Sequence, residues 1–320
     1  MSGRALPGLL SLLLGSGCVS RKVEAPTLLP PRGEATLSEL VERLNARQRV
    51  ETLTAAGDLQ FETREAAEAG VARRFRKAEG RLLLARPDRL RLQIQVPLLK
   101  TSLAEMASQG DHFEILVYPA EHRAFIEGTA SRDYSREASK LAEDPELKRV
   151  GPLVNVRPQH LLQAFFLDPI PQGDPYTLAV LAQEPLTVPD RRPGARAGVQ
   201  VVRTYYVVHL IERWPEARLR SKYWFDRAEQ GLPLTRRQVY APDGGLEADI
   251  TFDQYQVDPS GLPALPTFIR MERPKEAYTL TVTLRPETLA INRTLPLSAF
   301  SLEMPAEWAD SVRKINLDEK

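Results

Sequence analysis

A repeated alternation of apolar and polar residues constrains this chain more than any other feature. From Ala78 to Leu84 every second residue is small or apolar, and the pattern resumes from Leu90 to Val96, after Pro87 and Asp88. Successive side chains of a strand point to opposite faces of a sheet, so the alternation predicts strands with one dry face and one wet face. The two segments together predict a hairpin.

Eleven segments have the pattern or the composition of strands, and turn sequences rich in Gly, Pro and Asp separate them. The predicted strands are Leu53 to Phe61, Ala78 to Leu84, Leu90 to Val96, Phe113 to Tyr118, Arg123 to Glu127, Val199 to Ile211, Arg218 to Asp226, Leu234 to Tyr240, Leu246 to Tyr255, Thr267 to Glu272 and Tyr278 to Leu284. So many consecutive antiparallel strands do not lie flat. The sequence therefore predicts a mainly β fold, a curved antiparallel sheet of about eleven strands with a few helices.

Two segments have the apolar spacing of amphipathic helices. Thr36 to Leu53 carries apolar residues three and four positions apart, and Thr36 with Glu39 matches a capping box. Pro158 to Phe166 is a shorter candidate. Either helix could lie inside the curve of the sheet as a plug or lid, or both could complete an ordinary core, which is the commoner reason for apolar helix faces. The charged stretch Ser131 to Val150 is predicted to be helical or loose.

The first residues have the pattern of a secretory signal. Arg4 and an apolar run from Ala5 to Leu14 precede the only cysteine, Cys18, and the run is shorter than the about 20 residues that span a bilayer as a helix. Small residues before that cysteine resemble the bacterial lipobox, in which the cysteine is lipidated. The alternative is a secreted or cytosolic protein with a buried free cysteine. The expected division is signal peptide 1–17, lipid-anchored tether 18–33, one folded domain 34–310 and C-terminal tail 311–320.

The composition argues against several classes of partner. Lys and Arg number 43 against 42 Asp and Glu, so the chain lacks the basic footprint of a nucleic-acid-binding protein. A single cysteine excludes a disulfide within the chain. The hydrophobic share of 42% and charged share of 27% fit neither a disordered tail nor a protein with many membrane spans.

The residues of common catalytic and metal sites are scattered or missing. His112, His122, His160 and His209 have no partner at a helical spacing, although His112 and His122 could meet on neighbouring strands. A zinc site needs three or four convergent ligands. The chain has neither the Gly-x-Ser-x-Gly of a nucleophile elbow nor a phosphate-binding Gly-rich loop. We therefore expect no enzyme activity, no metal and no cofactor.

Three groups of motifs follow one another in a family-like order. The first is Gly80 to Leu92 around Arg-Pro-Asp, and the second is Gln109 to Tyr118. The third comprises Trp224-Phe225-Asp226, Gly231-Leu232-Pro233, Asp243-Gly244, Asp253-Gln254-Tyr255 and Leu265-Pro266. With the leading helix and Cys18, this order resembles the Lol-type carriers of bacterial lipoproteins, the LolA/LolB-like superfamily of a periplasmic chaperone and its outer-membrane receptor.

That resemblance implies an incomplete antiparallel β-barrel wrapped over helices, with an apolar cavity that holds acyl chains. It makes 34–310 a half-barrel domain for lipids or lipoproteins, and a lipid-anchored member resembles the receptor. The expected cavity residues are Leu82, Leu84, Leu90, Leu92, Phe113, Ile115, Phe165, Phe166 and Tyr223. Leu98 and Leu99 occupy the position of an exposed membrane-insertion loop in such receptors, although ordinary core packing explains two leucines equally well.

The leading hypothesis is therefore an outer membrane lipoprotein that faces the periplasm, binds acyl chains and passes lipoproteins or lipids to the outer membrane. Its expected partners are acylated lipoproteins or lipids, the bilayer through its anchor, and a periplasmic carrier protein, without nucleic acid. The alternative is a structural or envelope-stress-sensing lipoprotein that contacts only protein partners. A third hypothesis, a hydrolase, would need clustered carboxylates or a histidine beside a carboxylate inside the concave face.

Overall fold

The computed structural model describes residues 25–63, 78–96, 99, 101–120, 123–132, 134, 156–213, 215–257, 261–308 and 312–319. The predictions for the signal peptide, Cys18, Leu98 and His122 lie outside these residues, as does nearly all of the charged stretch Ser131 to Val150.

Within the described residues, sixteen strands form a single sheet and two α-helices accompany it. The strands are β1 (Thr27–Leu28), β2 (Thr52–Thr63), β3 (Ala78–Ala85), β4 (Arg89–Gln95), β5 (Ser102–Gln109), β6 (His112–Val117), β7 (Ala124–Thr129), β8 (Thr177–Pro189), β9 (Gln200–Glu212), β10 (Arg218–Asp226), β11 (Leu234–Tyr240), β12 (Leu246–Gln256), β13 (Leu265–Arg273), β14 (Tyr278–Leu284), β15 (Ala290–Ile291) and β16 (Arg313–Asn316). The helices are α1 (Leu37–Ala46) and α2 (Pro158–Phe165), and short 3₁₀ turns occupy Arg47–Arg49, Pro286–Thr288, Leu297–Phe300 and Ala306–Trp308.

The sheet consists of two antiparallel runs that meet at one pair of strands. One run is β8 to β14 and the other is β2 to β7, and β14 pairs with β2 to join them. Short β1 and β16 add parallel pairs to β9 and β7, so the sheet is mixed. In the described part of the chain no pairing connects β8 with β7 or β16, and the sheet is therefore open.

The prediction of a mainly β fold with a few helices is confirmed, but the predicted count of about eleven strands is too low. All eleven predicted segments coincide with strands, and β1, β5, β8, β15 and β16 were missed. β5 has small residues and Glu105 where large apolar ones would mark a strand. β8 contains Pro185. A strand at a sheet edge tolerates proline because the N–H that proline lacks would have no neighbouring strand to bond there.

Local capping sets the start of α1 as predicted. The Thr36 hydroxyl accepts a hydrogen bond from the Glu39 amide at 3.3 Å, and the Glu39 carboxylate accepts one from the Thr36 amide at 2.7 Å. These two bonds satisfy donors that have no partner within the helix. The apolar side of α1, formed by Leu40, Val41 and Leu44, is buried.

The main core lies between the concave face of the sheet and the two helices. Its buried side chains come from nearly every strand and from both helices, and they form one continuous cluster. α1 packs towards β8 and β9, and α2 packs towards β4 and β5. A smaller apolar cluster, Ala107, Leu116, Leu302 and Trp308, covers part of the outer face.

Two segments that the sequence places in the tether and the tail lie on the sheet. Thr27 and Leu28 pair with β9, and Leu29 is buried beside Val201. At the other end, β16 pairs with β7, and Leu317 joins the main core. No helix among the described residues is long and apolar enough to cross a membrane.

Candidate functional site

All nine predicted cavity residues are buried together. They come from β3, β4, β6, β10 and from α2 with the residue that follows it, and each belongs to the main core cluster. The most exposed of the nine, Phe165 and Phe166, retain 6% of their surface. α1 and α2 lie against the face of the sheet that the strand residues of this set form, so the chain's own helices cover that face.

Arg237 on β11 and Arg86 in the turn after β3 donate to carbonyls at and just beyond the C-terminal end of α2. Arg237 of β11 donates from Nη1 to the carbonyl of Gln163 at 2.9 Å, and Arg86 donates from Nη2 to the carbonyl of Leu167 at 3.3 Å. Positive charge near the end of a helix interacts favourably with the helix dipole and with its free carbonyls. The end of α2 is thus attached to the sheet through polar bonds as well as apolar packing.

The loop after α2, residues 166–170, is attached to α1. Asn45 donates to the carbonyl of Ile170 at 2.9 Å and accepts from its amide at 2.8 Å. Gln48 donates to the carbonyl of Leu167 at 2.6 Å. Two hydrogen bonds from α1 and one from the 3₁₀ turn that follows it therefore hold the loop after α2.

The N-terminal end of α2 carries a buried polar group. Nδ1 of His160 lies 2.6 Å from the Tyr278 hydroxyl, and Glu276 forms ion pairs with Arg157 at 3.1 Å and Arg273 at 2.7 Å. Burial lowers the pKa of His160 well below its usual value, and the charges of Arg273 and Arg157 lower it further. Burial raises the pKa of Tyr278. Both groups are therefore neutral near pH 7.

Three buried polar atoms in or beside these attachments have no hydrogen-bond partner within the described residues. They are Gln159 Oε1, Arg237 Nε and Arg273 Nη1. An unsatisfied buried polar group costs about 1–3 kcal/mol. The contact of α2 with the sheet therefore includes groups whose hydrogen bonding is incomplete in the arrangement seen here.

The remaining sequence-derived candidates lie apart from this core. Leu99 is 75% exposed, and its neighbour Leu98 lies outside the described residues. His112 sits at the start of β6 with Nε2 3.6 Å from Glu114, whereas His209 lies 3.7 Å from Glu184 on β8. Across the described ranges, no group of three or more His, Cys, Asp or Glu residues could hold a metal ion.

A surface pocket of about 290 Å³ lies at the β5–β6 hairpin. Its lining includes Ser108, His112, Glu114 and Phe300. Because Glu114 accepts a hydrogen bond from the Leu302 amide, the pocket is part of the contact between the hairpin and the C-terminal segment.

Sequence reasoning missed the polar residues that attach α2. Arg237 lies two residues before Val239, and Arg273 two residues after Met271, so both occupy the apolar register of their strands. A charge in that register signals a buried partner, because charged side chains are almost never fully buried unless paired. The partners themselves, Gln163 and Glu276, are distant in sequence or lie in a turn.

No protein-family model matches the chain, and no curated protein does. Solved structures align with most of it. A LolA superfamily protein from Nitrosomonas europaea is 12% identical over 84% of this chain and 99% of its own, with a TM-score of 0.42. A DUF1329 family protein from Desulfovibrio piger is 13% identical, covering 83% and 98%, with a TM-score of 0.47.

A domain from Vibrio parahaemolyticus assigned to outer membrane lipoprotein sorting is 11% identical, covering 83% of this chain and 97% of its own, with a TM-score of 0.43.

Proposed function

We propose that this protein binds the acyl chains of lipids or lipoproteins on its concave face, which becomes accessible when α2 and residues 166–170 move away. The proposal rests on the way in which α2 covers the apolar face of the sheet. A continuous apolar face is covered by a helix of eight residues whose ends are attached by polar bonds, with several buried polar atoms left unpaired. The role is binding and transfer, without catalysis.

The free energy gained by burying an acyl chain is similar in size to the free energy lost when α2 moves away. Burying an acyl chain is worth about 0.8 kcal/mol per methylene, or on the order of 10 kcal/mol for a long chain. Moving α2 would expose Leu161, Leu162 and Phe165, each worth about 1.5–3 kcal/mol when buried. A guest chain would therefore replace the apolar side chains of the helix at little net cost, as reversible loading requires.

The proposed location is the bacterial outer membrane, facing the periplasm. Cys18 would carry the lipid anchor, and the exposed Leu99 with Leu98 would contact the bilayer surface. A soluble periplasmic carrier would deliver the acylated cargo, and transfer would run on the difference in affinity between successive sites. No nucleotide or metal enters this proposal.

The direct test is titration of the mature chain carrying Cys18→Ala with a fluorescent fatty acid and with an acylated peptide. We expect saturable binding that an unlabelled fatty acid displaces. The matching peptide without its acyl group should not bind. If the folded protein binds no acylated ligand, the proposal is wrong.

The sequence-based alternative, a lipoprotein that contacts only proteins, is favoured by one observation. β8 lies at an edge of the sheet, and Thr177 to Gln183 contains neither charge nor proline. Sheet edges of this kind accept a strand from a partner unless a charge or a proline blocks them. Concentration-dependent self-association or peptide binding that Val180→Lys abolishes, without any acyl-chain binding, would favour this alternative.

A further inference from the structure

Two guanidinium groups, the buried Arg237 and the half-buried Arg86, lie near a single carboxylate at the C-terminal end of α2. Nη2 of Arg237 is 3.3 Å from Oδ2 of Asp168, and the Arg237 side chain is 3% exposed while that of Asp168 is 60% exposed. Burial lowers the pKa of Arg86, and the charge of Asp168 opposes that shift. The Asp168 carboxylate thus approaches the buried Arg237 guanidinium from the solvent side.

The buried Arg237 guanidinium is incompletely satisfied. Arg237 Nε has no partner among the described residues, and its other contacts are the Gln163 carbonyl and Asp168. Arg86 donates to the carbonyls of Leu167 and Val50. Except for Val50, these acceptors belong to α2 or to the loop after it. Movement of α2 and this loop would leave Arg237 without its acceptors and Arg86 with only the Val50 carbonyl. An unpaired buried charge, such as that of Arg237, is strongly unfavourable.

The same arginines border the apolar face. The Arg237 guanidinium lies 5.6 Å from the ring centre of Tyr223, and that of Arg86 lies 4.5 Å from the ring centre of Phe166. Both aromatic residues are among the predicted cavity residues. A guanidinium has five donors that match a carboxylate or phosphate. Anion recognition and apolar burial therefore adjoin each other at this end of the concave face.

We propose that the ligand is an anionic amphiphile whose carboxylate or phosphate head takes the place of the Asp168 carboxylate beside Arg86 and Arg237, with its tail on the apolar face. Asp168 is then an internal stand-in for the head group in the unloaded protein. This inference rests on the proposed function, because it names the ligand class for the same site.

The test compares four amphiphiles of equal chain length by calorimetry on the mature Cys18→Ala protein: dodecanoate, dodecyl phosphate, dodecanol and dodecyltrimethylammonium. We expect the two anions to bind about tenfold or more tightly than dodecanol at low salt, and the cation to bind most weakly. Added salt should reduce the difference, because ions screen charge pairs near the surface. Acetate and inorganic phosphate, which have no tail, should not bind measurably at millimolar concentration.

Two variants assign the preference to this site. Arg237→Gln should bring the affinities for dodecanoate and dodecanol within about twofold of each other. Asp168→Asn, at an exposed position, should tighten dodecanoate binding about fivefold or more beyond any change in dodecanol binding. Loss of the ion pair loosens α2 for both ligands, but removal of the competing carboxylate favours only the anion. Asp243→Asn is the matched control, since Asp243 pairs with Lys275 elsewhere on the surface, and it should change neither affinity.

The outcomes separate this inference from the proposed function. Equal binding of dodecanoate and dodecanol by the unaltered site would overturn the anionic head-group site while acyl-chain binding stands. Tight binding of acetate or inorganic phosphate would show a site for free anions, and it would overturn the proposal that the ligand is an amphiphile. If none of the four amphiphiles binds, both proposals are wrong.

Discussion

At the scale of single residues, several buried polar groups hold α2 against the sheet. His160, Arg157 and Gln163 lie in or beside the helix, and their partners are Tyr278 and Arg237 on the sheet and Glu276 in the turn between β13 and β14. Each of these pairs joins residues more than 60 positions apart. Such pairs could not be predicted from the sequence, because the register of distant strands decides them.

The Tyr278 hydroxyl should contribute measurably to stability. Tyr278→Phe removes the partner of the buried His160 Nδ1, so the free energy of unfolding in urea should fall by about 1–3 kcal/mol. Tyr240→Phe is the control, because the Tyr240 hydroxyl donates to Gln238 in a partly exposed position and its loss should cost less. Equal losses for the two variants would contradict the role of the His160 contact.

The buried His160 should make stability depend on pH. Its pKa is lowered in the folded protein, so the unfolded chain binds the proton first as the pH falls. The contribution of neutral His160 is complete above about pH 6.5 and is lost as the pH falls below that value. Unfolding measured at pH 7 and pH 5 should show a smaller loss of stability for His160→Gln than for the unaltered protein, and an equal loss would contradict the assignment.

At the scale of elements, the sequence predicted which segments form helices and strands better than it predicted where those elements pack. The capping box and apolar stripe of α1 and the alternation in β3 and β4 are set by near neighbours, and the structure confirms both elements. The sequence left open whether the helices lie inside the curve, because that depends on packing against distant strands. β8 was missed since an edge strand has a weaker apolar pattern and tolerates proline.

The start of α1 offers a test at this scale. Thr36→Ala removes the hydroxyl that caps the Glu39 amide, and the free energy of unfolding should fall by about 1 kcal/mol. Ser38→Ala, at an exposed position within the first turn, should leave stability unchanged or slightly higher, since Ala is the better helix former. If the two variants behave alike, the cap contributes nothing.

At the scale of the whole molecule, the junction of β14 with β2 makes one sheet from two runs of strands. Gly57 lies in this junction opposite Leu284, and a Cβ there would come within 2.3 Å of the Thr283 carbonyl oxygen. The neighbour is backbone and cannot move aside easily. The close pairing of β14 with β2 therefore leaves no room for a side chain at position 57.

Gly57→Ala should therefore destabilise the protein by about 1–3 kcal/mol, the range for overpacked cores, in urea unfolding. Gly245→Ala is the control, because a Cβ at that site would approach the ends of the Asp243 and Lys275 side chains, which can shift. A neutral Gly57→Ala variant would show that the two strands can separate without cost.

The most direct test of the account is whether loosening α2 improves acyl-chain binding. Asn45→Ala removes two hydrogen bonds between α1 and Ile170, whereas Thr288→Val removes comparable bonds to Ala56 and Arg285 far from α2. If α2 must move before an acyl chain binds, a variant in which the open state is more populated binds the acyl chain with higher apparent affinity. Titration with a fluorescent fatty acid should give about five- to tenfold tighter binding for Asn45→Ala and unchanged binding for Thr288→Val. Lower stability in both variants, with no gain in affinity for Asn45→Ala, would contradict the account.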